Sequence, residues 1–206
     1  MAAKQIERYT PRERANHWVV TVLFVLAALS GLAFFHPAFY FLSSLLGGGP
    51  WARILHPFIG ALMFISFAAM AMRYHAHNHI SEVDRAWLRR VRDVIANRDR
   101  GLPEIGKYNP GQKVMFWLML TTLCLLVLSG IVMWRPWFAA WFPIGLNRVA
   151  VAIHALAGWA LIGGIIVHAY AAFWVKGSIR AMTRGTVSEA WAKQHHPAWY
   201  REVVRK

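Results

Sequence analysis

Four runs of apolar residues, 18–35, 54–72, 114–134 and 149–175, set the pattern of the chain, and polar, aromatic or basic stretches separate them. An α-helix rises about 1.5 Å per residue, so about 20 uncharged apolar residues cross the roughly 30 Å of bilayer hydrocarbon. Each run is read as a spanning helix, because in lipid only helices and closed barrels satisfy their own backbone hydrogen bonds. The pattern predicts an all-α fold: a four-helix transmembrane bundle, one integral membrane domain over residues 1–206. The first run follows basic residues as a secretory leader would. It ends in Phe34-Phe35-His36-Pro37 with no small-residue cleavage site, so it is kept as a helix.

Between the runs the periodicity changes. Around 83–96, Trp87, Leu88, Val91 and Ile95 recur at near-helical spacing among Arg85, Arg89, Arg90 and Arg92. That arrangement predicts an amphipathic helix along the inner membrane surface. The tail, 176–206, is basic and amphipathic and is placed in the cytoplasm, with His195 and His196 read as solvated or facing a partner.

Charge sets the orientation. The chain is 57% hydrophobic yet carries a formal net charge of +14. Of 23 Lys and Arg residues, 4 precede the first run, 9 lie within 73–113 and 7 lie from 176 onward, leaving Arg53, Arg135 and Arg148 for the opposite side. This is the positive-inside asymmetry of four helices with both termini in the cytoplasm. Together with the apolar runs it argues against nucleic acid as the partner of the basic residues. Arg8, Arg12 and Arg14 read as part of that orientation signal, or alternatively as salt-bridge donors to a cofactor carboxylate. The single cysteine, Cys124, lies inside the third run, which excludes an intrachain disulfide and a cysteine-ligated iron–sulfur cluster.

The histidines suggest the chemistry. His154 and His168 both sit in the fourth run, where an ionisable ring in hydrocarbon is by default a functional candidate. Fourteen helical residues advance about 21 Å and make nearly four whole turns, so the two rings share a face at opposite depths. His17 opens the first run at the level of His168, and His56 lies near the start of the second at the level of His154. The pairing by depth is therefore His17 with His168 inside and His56 with His154 outside. Two imidazoles fill both axial positions of a haem iron, which makes these four the candidate ligands of two b-type haems. A proton relay or ion channel lined by the same rings is an alternative, although all nine Asp and Glu residues lie outside the four runs. A haem-free anchor that docks soluble partners is another.

Other residues fit around that reading. Gly31 follows His17 by fourteen positions on nearly the same face, and Gly60 and Gly158 each follow an outer histidine by four. Glycine there leaves room for a flat ring, or equally for a neighbouring helix. Arg135 and Arg148 lie where the positive-inside rule disfavours cations, and are candidates to pair with propionates of the outer macrocycle. His75, His77 and His79 alternate with period two beside no carboxylate or cysteine cluster, and read as interfacial polar residues rather than a metal site. Asn109, Gly111 and Gln112 form a helix-start signal around Pro110, or line a small polar pocket at the depth of His168. The third run has no histidine and reads as a packing wall.

Six segments then carry a family resemblance: Arg14-Ala15-Asn16-His17-Trp18, Arg53-Ile54-Leu55-His56-Pro57, Lys107-Tyr108-Asn109-Pro110-Gly111-Gln112-Lys113, Trp134-Arg135-Pro136, Phe173-Trp174-Val175-Lys176-Gly177-Ser178-Ile179 and Trp191-Ala192-Lys193-Gln194-His195-His196-Pro197-Ala198-Trp199-Tyr200-Arg201-Glu202. Spread in order over nearly the whole chain, they make it resemble the cytochrome b (gamma) subunit of respiratory formate dehydrogenases. The resemblance implies a di-haem subunit of a bacterial inner-membrane complex. Formate would be oxidised on a molybdenum or tungsten catalytic (alpha) subunit, and an iron–sulfur (beta) subunit would feed the haem of His56 and His154. Electrons would cross to the haem of His17 and His168 and reduce a quinone, menaquinone or ubiquinone, near Asn109, Gly111, Gln112 and His168 at the cytoplasmic face. Cytochrome b subunits of nickel–iron hydrogenases and thiosulfate reductases share this electron logic with other donors.

Overall fold

A computed structural model describes residues 4–96, 98 and 101–205. Arg100 and Lys206, two of the cations counted above, lie outside the described residues. In order, the elements are β1 (Gln5–Glu7), α1 (Pro11–Phe35), a 3-10 helix (Pro37–Leu46), α2 (Gly49–Tyr74), a 3-10 turn (His75–Asn78), α3 (Glu82–Arg89), α4 (Val91–Ile95), α5 (Pro110–Met133), a 3-10 turn (Ala139–Trp141), α6 (Ile144–Trp174), α7 (Ser178–Arg184), β2 (Thr186–Ser188), α8 (Glu189–His195) and α9 (Pro197–Val204).

Among the described residues, four helices are long and apolar enough to cross a membrane: Pro11–Phe35, Gly49–Asn78, Pro110–Met133 and Ile144–Trp174. Most start several residues before the apolar run they contain, because capping rather than hydropathy fixes where a helix begins. At α1, Thr10 Oγ1 accepts from the Glu13 amide at 3.3 Å while Glu13 accepts from the Thr10 amide at 2.7 Å. At α5 the equivalent exchange joins Asn109 and Gln112 at 2.8 and 2.9 Å. In both cases proline takes the first helical position, where its missing N–H costs nothing.

Two compact units are distinguishable. One comprises Ala15–Ala71 and Leu118–Val167 and holds most of the four long helices. Within it, small residues such as Ala27, Ser30, Ala33, Ala52, Ala150 and Ala157 are buried against neighbouring helices. Bulky apolar side chains such as Val22, Leu62, Ile65, Leu128, Leu156 and Ile166 are more than half exposed. So large an apolar surface suits lipid and not water. Aromatic contacts cross the bundle: Phe35 meets Trp159 edge-on at 5.3 Å between ring centres, and Phe58 meets Trp134 at 5.2 Å.

The other unit comprises Met1–Arg14, Met72–Trp117 and His168–Lys206. Here the chain departs from an all-α reading. β1 and β2 pair antiparallel, with Gln5 opposite Ser188, Ile6 opposite Val187 and Glu7 opposite Thr186. Three-residue strands whose partner lies some 180 positions away leave no local periodic signal. The pairing is continued by the Arg8 and Tyr9 amides, which both donate to the Gly185 carbonyl at 2.8 and 3.1 Å. Gly185 has φ of 81°, and a Cβ there would lie 2.6 Å from the Tyr9 carbonyl, so this turn requires glycine. Ile6, Tyr9, Tyr108, Ala181, Val187, Ala192 and Trp199 form one core.

That core corrects one reading of the tail: His196 is 2% exposed and so is not a solvated group. Arg8, at 4% exposed, is buried with it. Arg8 stacks over Trp199 at 4.8 Å and Trp191 at 5.2 Å, and donates to the Lys107 carbonyl at 2.5 Å. The expected amphipathic helix over 83–96 is also divided. It breaks at Arg90, whose side chain bonds Asp93 at 3.1 Å and the Gly101 carbonyl at 2.6 Å. Trp87 is buried while Ile95 is exposed. A Ser81–Asp84 capping box starts α3, and Lys113 pairs with Asp84 at 2.7 Å.

Candidate functional site

His56 on α2 and His154 on α6 face one another inside the long-helix unit, with ring centres 6.1 Å apart and planes inclined by 63°. Two helices thus present imidazoles at one level, as the sequence spacing requires. Both rings are half-buried. Each is held from a neighbouring helix: Ser30 Oγ on α1 lies 2.7 Å from His56 Nδ1, and Ser129 Oγ on α5 lies 3.0 Å from His154 Nδ1.

The spacing fits an iron between the rings. Two metal–imidazole bonds of roughly 2 Å each, added to the offset of each nitrogen from its ring centre, span about the observed separation. No group of three or more His, Cys, Asp or Glu residues among those described could hold a metal ion. Two imidazoles alone suit an ion whose remaining positions come from a macrocycle.

The glycines divide by what they adjoin. A Cβ on Gly31 would lie 3.5 Å from His56 Cε1, and one on Gly130 would lie 3.4 Å from His154 Cε1. Gly31 therefore adjoins the imidazole itself, at a distance where a Cβ would be in ordinary van der Waals contact. A Cβ on Gly60 would meet nothing within 4 Å, and one on Gly158 would meet the Leu126 side chain at 4.0 Å. Gly60 thus borders open space, which a flat ring could occupy, while Gly158 lies beside Leu126. Ser30, Ser129 and Gly130 are absent from the reading of the sequence, and α5 is more than a packing wall. The available signal was the repeat of Leu29-Ser30-Gly31-Leu32 as Leu128-Ser129-Gly130-Ile131 in the two spans that carry no outer histidine.

The remaining candidates are placed as follows. His17 lies in α1, half-buried, with its ring edge-on to Trp18 at 5.4 Å. His168 lies near the end of α6 and is exposed. Arg135 and Arg148 are exposed. Asn109 and Gln112 cap α5 as described, and Gly111 is exposed in its first turn. A cavity of about 360 Å³ lies beside that turn, lined by His77, Lys107, Tyr108, Lys113 and Trp199 among others.

Four apolar spans, two of them presenting facing imidazoles, are the architecture of a multi-pass membrane cytochrome of the b type. The chain belongs to the prokaryotic cytochrome b561 family, whose pattern it matches over residues 8–185. It is similar to the cytochrome b556(fdo) subunit of formate dehydrogenase from Escherichia coli (strain K12), at 50% identity over 198 residues, covering 96% of this chain and 93% of the relative. The cytochrome b556(Fdn) subunit of the nitrate-inducible formate dehydrogenase from the same strain is 43% identical over 203 residues, with 98% and 94% covered. The formate dehydrogenase cytochrome b556 subunit of Haemophilus influenzae is 41% identical over 200 residues, covering 97% of this chain and 84% of the relative.

Proposed function

We propose that the chain is the membrane di-haem cytochrome b subunit of a formate dehydrogenase complex in a bacterial inner membrane, with both termini in the cytoplasm. His56 and His154 hold the outer haem, and His17 and His168 hold the inner one. A haem with two imidazole ligands passes single electrons and leaves no position for bond chemistry. The chain accordingly carries electrons from an iron–sulfur subunit, fed by a molybdenum or tungsten formate-oxidising subunit, to menaquinone or ubiquinone. Asn109, Gly111, Gln112 and His168 bind that quinone close to the cytoplasm, from which its protons come. Exposed Arg135 and Arg148 are offered as propionate partners of the outer haem.

The 6.1 Å separation of the His56 and His154 rings carries this reading. Similarity to formate dehydrogenase cytochrome b556 subunits over more than nine-tenths of the chain supports the choice of complex. The asymmetry of Lys and Arg supports the orientation. The test is a haem count and a reduced-minus-oxidised spectrum of the purified chain, followed by formate-driven quinone reduction in the intact complex. Two haems per chain are expected, falling to one in His154→Ala. Both haems retained in that variant would refute the pairing, and a complex that reduces quinone with hydrogen but not formate would replace the donor.

A further inference from the structure

Ser30 and Ser129 decide which nitrogen of each facing imidazole is free. A hydroxyl has one proton to give. Ser30 Oγ donates to the Leu26 carbonyl at 2.8 Å, and Ser129 Oγ donates to the Leu125 carbonyl at 2.5 Å, each bond lying within its own helix. With the proton committed there, the serine oxygen meets the histidine as an acceptor. His56 Nδ1 and His154 Nδ1 therefore carry hydrogen, and the lone pair of each ring lies on Nε2. The opposite tautomer would draw the hydroxyl proton off the carbonyl and place a proton where a metal would bind.

The same device occurs twice. In each hairpin of long helices, α1–α2 and α5–α6, the first helix supplies Leu-Ser-Gly followed by Leu or Ile, and the second supplies the histidine 26 or 25 residues beyond the serine. The serine accepts from Nδ1, and the next residue, glycine, lies beside Cε1. The resulting half-sites are equivalent, one from each hairpin.

We infer that Ser30 and Ser129 are positioning residues that lock His56 and His154 in the Nδ1–H tautomer with Nε2 directed to an iron, and that they tune that iron through the ring. This rests on the haem reading above. A hydrogen bond donated from Nδ1 makes the imidazole a stronger electron donor, which favours the ferric state and lowers the reduction potential. Removing the serine acceptor raises it, by less at His154, whose ring also bonds the Leu126 backbone.

The experiment uses the full chain in detergent, with haem content, a potentiometric titration and the low-temperature electron paramagnetic resonance spectrum read for Ser30→Ala, Ser129→Ala, Ser30→Thr and Ser129→Thr. In each alanine variant two haems are expected to remain, with the midpoint of one shifted upward, its resonance displaced and the other haem unchanged as internal control. Threonine, which restores the hydroxyl, returns both readings toward the parent. Haem loss in an alanine variant that threonine restores also supports the assignment. Full haem content with unmoved midpoint and resonance in both alanine variants overturns the inference alone, as does haem loss that threonine fails to restore. A parent chain without haem overturns the haem reading and this inference with it.

Discussion

Arg8 Nη2 and His196 Nε2 lie 3.2 Å apart, joining residues 188 positions distant in the sequence. The other ring nitrogen, Nδ1, is 2.8 Å from the Gly106 carbonyl. Since a carbonyl can only accept, Nδ1 carries the ring proton and Nε2 accepts from the guanidinium. One neutral imidazole thus bridges the N-terminal segment and the loop before α5, while Arg8 reaches the neighbouring Lys107 carbonyl.

This bridge makes the terminal unit sensitive to acid. Burial, and then the adjacent Arg8 charge, push His196 from an ordinary 6.5 to about 3. Between those values the unfolded chain binds a proton that the folded chain refuses. Stability from this group is therefore complete above about pH 6.5 and is lost as pH falls toward 3. Hydrogen-exchange protection of the tail helices, corrected for intrinsic rates, is expected to drop between about pH 7 and about pH 4.5. His196→Gln, which cannot titrate, should flatten that dependence, and an equally steep fall in the variant would assign it elsewhere.

Arg8→Met keeps much of the stacking volume between Trp191 and Trp199 but strands the Lys107 carbonyl and His196 Nε2. Loss of charge-assisted hydrogen bonds of this kind costs about 2–3 kcal/mol. Thermal unfolding in detergent is expected to show a lower midpoint for the terminal unit, with haem content unchanged. Arg8→Lys should fall between, because an ammonium cannot span both acceptors in the planar geometry of a guanidinium.

Gly130→Val tests the seat of His154. Its Cβ would already stand in van der Waals contact with His154 Cε1 at 3.4 Å, which leaves little room for the two methyl groups beyond it and should displace the imidazole. Haem content is expected to fall from two to one per chain, with the helix content seen by circular dichroism preserved. Gly60→Val, where no atom lies within 4 Å of an added Cβ, should leave His56 in place. It is expected to lower haem occupancy only if a planar group fills that space, so parent-like occupancy in this variant would remove Gly60 from the site.

Asn109 separates a cap from a quinone contact. Its side chain and that of Gln112 accept from each other's backbone amides, so Asn109→Ala should cost about 1 kcal/mol as a lost N-cap. Asn109→Asp retains a capping acceptor and is expected to hold the unfolding midpoint while lowering the rate of quinol formation. Unchanged turnover in both variants would leave Asn109 a capping residue alone.

Much of this protein is legible in one dimension. A run of some 20 apolar residues has few ways to exist in lipid other than as a helix, so the four spans follow from composition alone. Helical geometry similarly brings His56 and His154 to a common level before any coordinate is known, because a fixed rise converts sequence spacing into depth. What the sequence does not disclose depends on partners distant along the chain. Arg8 and His196 look like two more polar residues in basic termini, and only folding buries them against Trp191 and Trp199. Ser30 and Ser129 look like ordinary small residues of a spanning helix. A side-chain hydrogen bond across helices depends on rotation about two axes, which periodicity along either one does not fix. The chain's own order set the four long helices and the common level of His56 and His154; tertiary packing alone paired β1 with β2 and decided which face met which, and so which atoms hold the imidazoles.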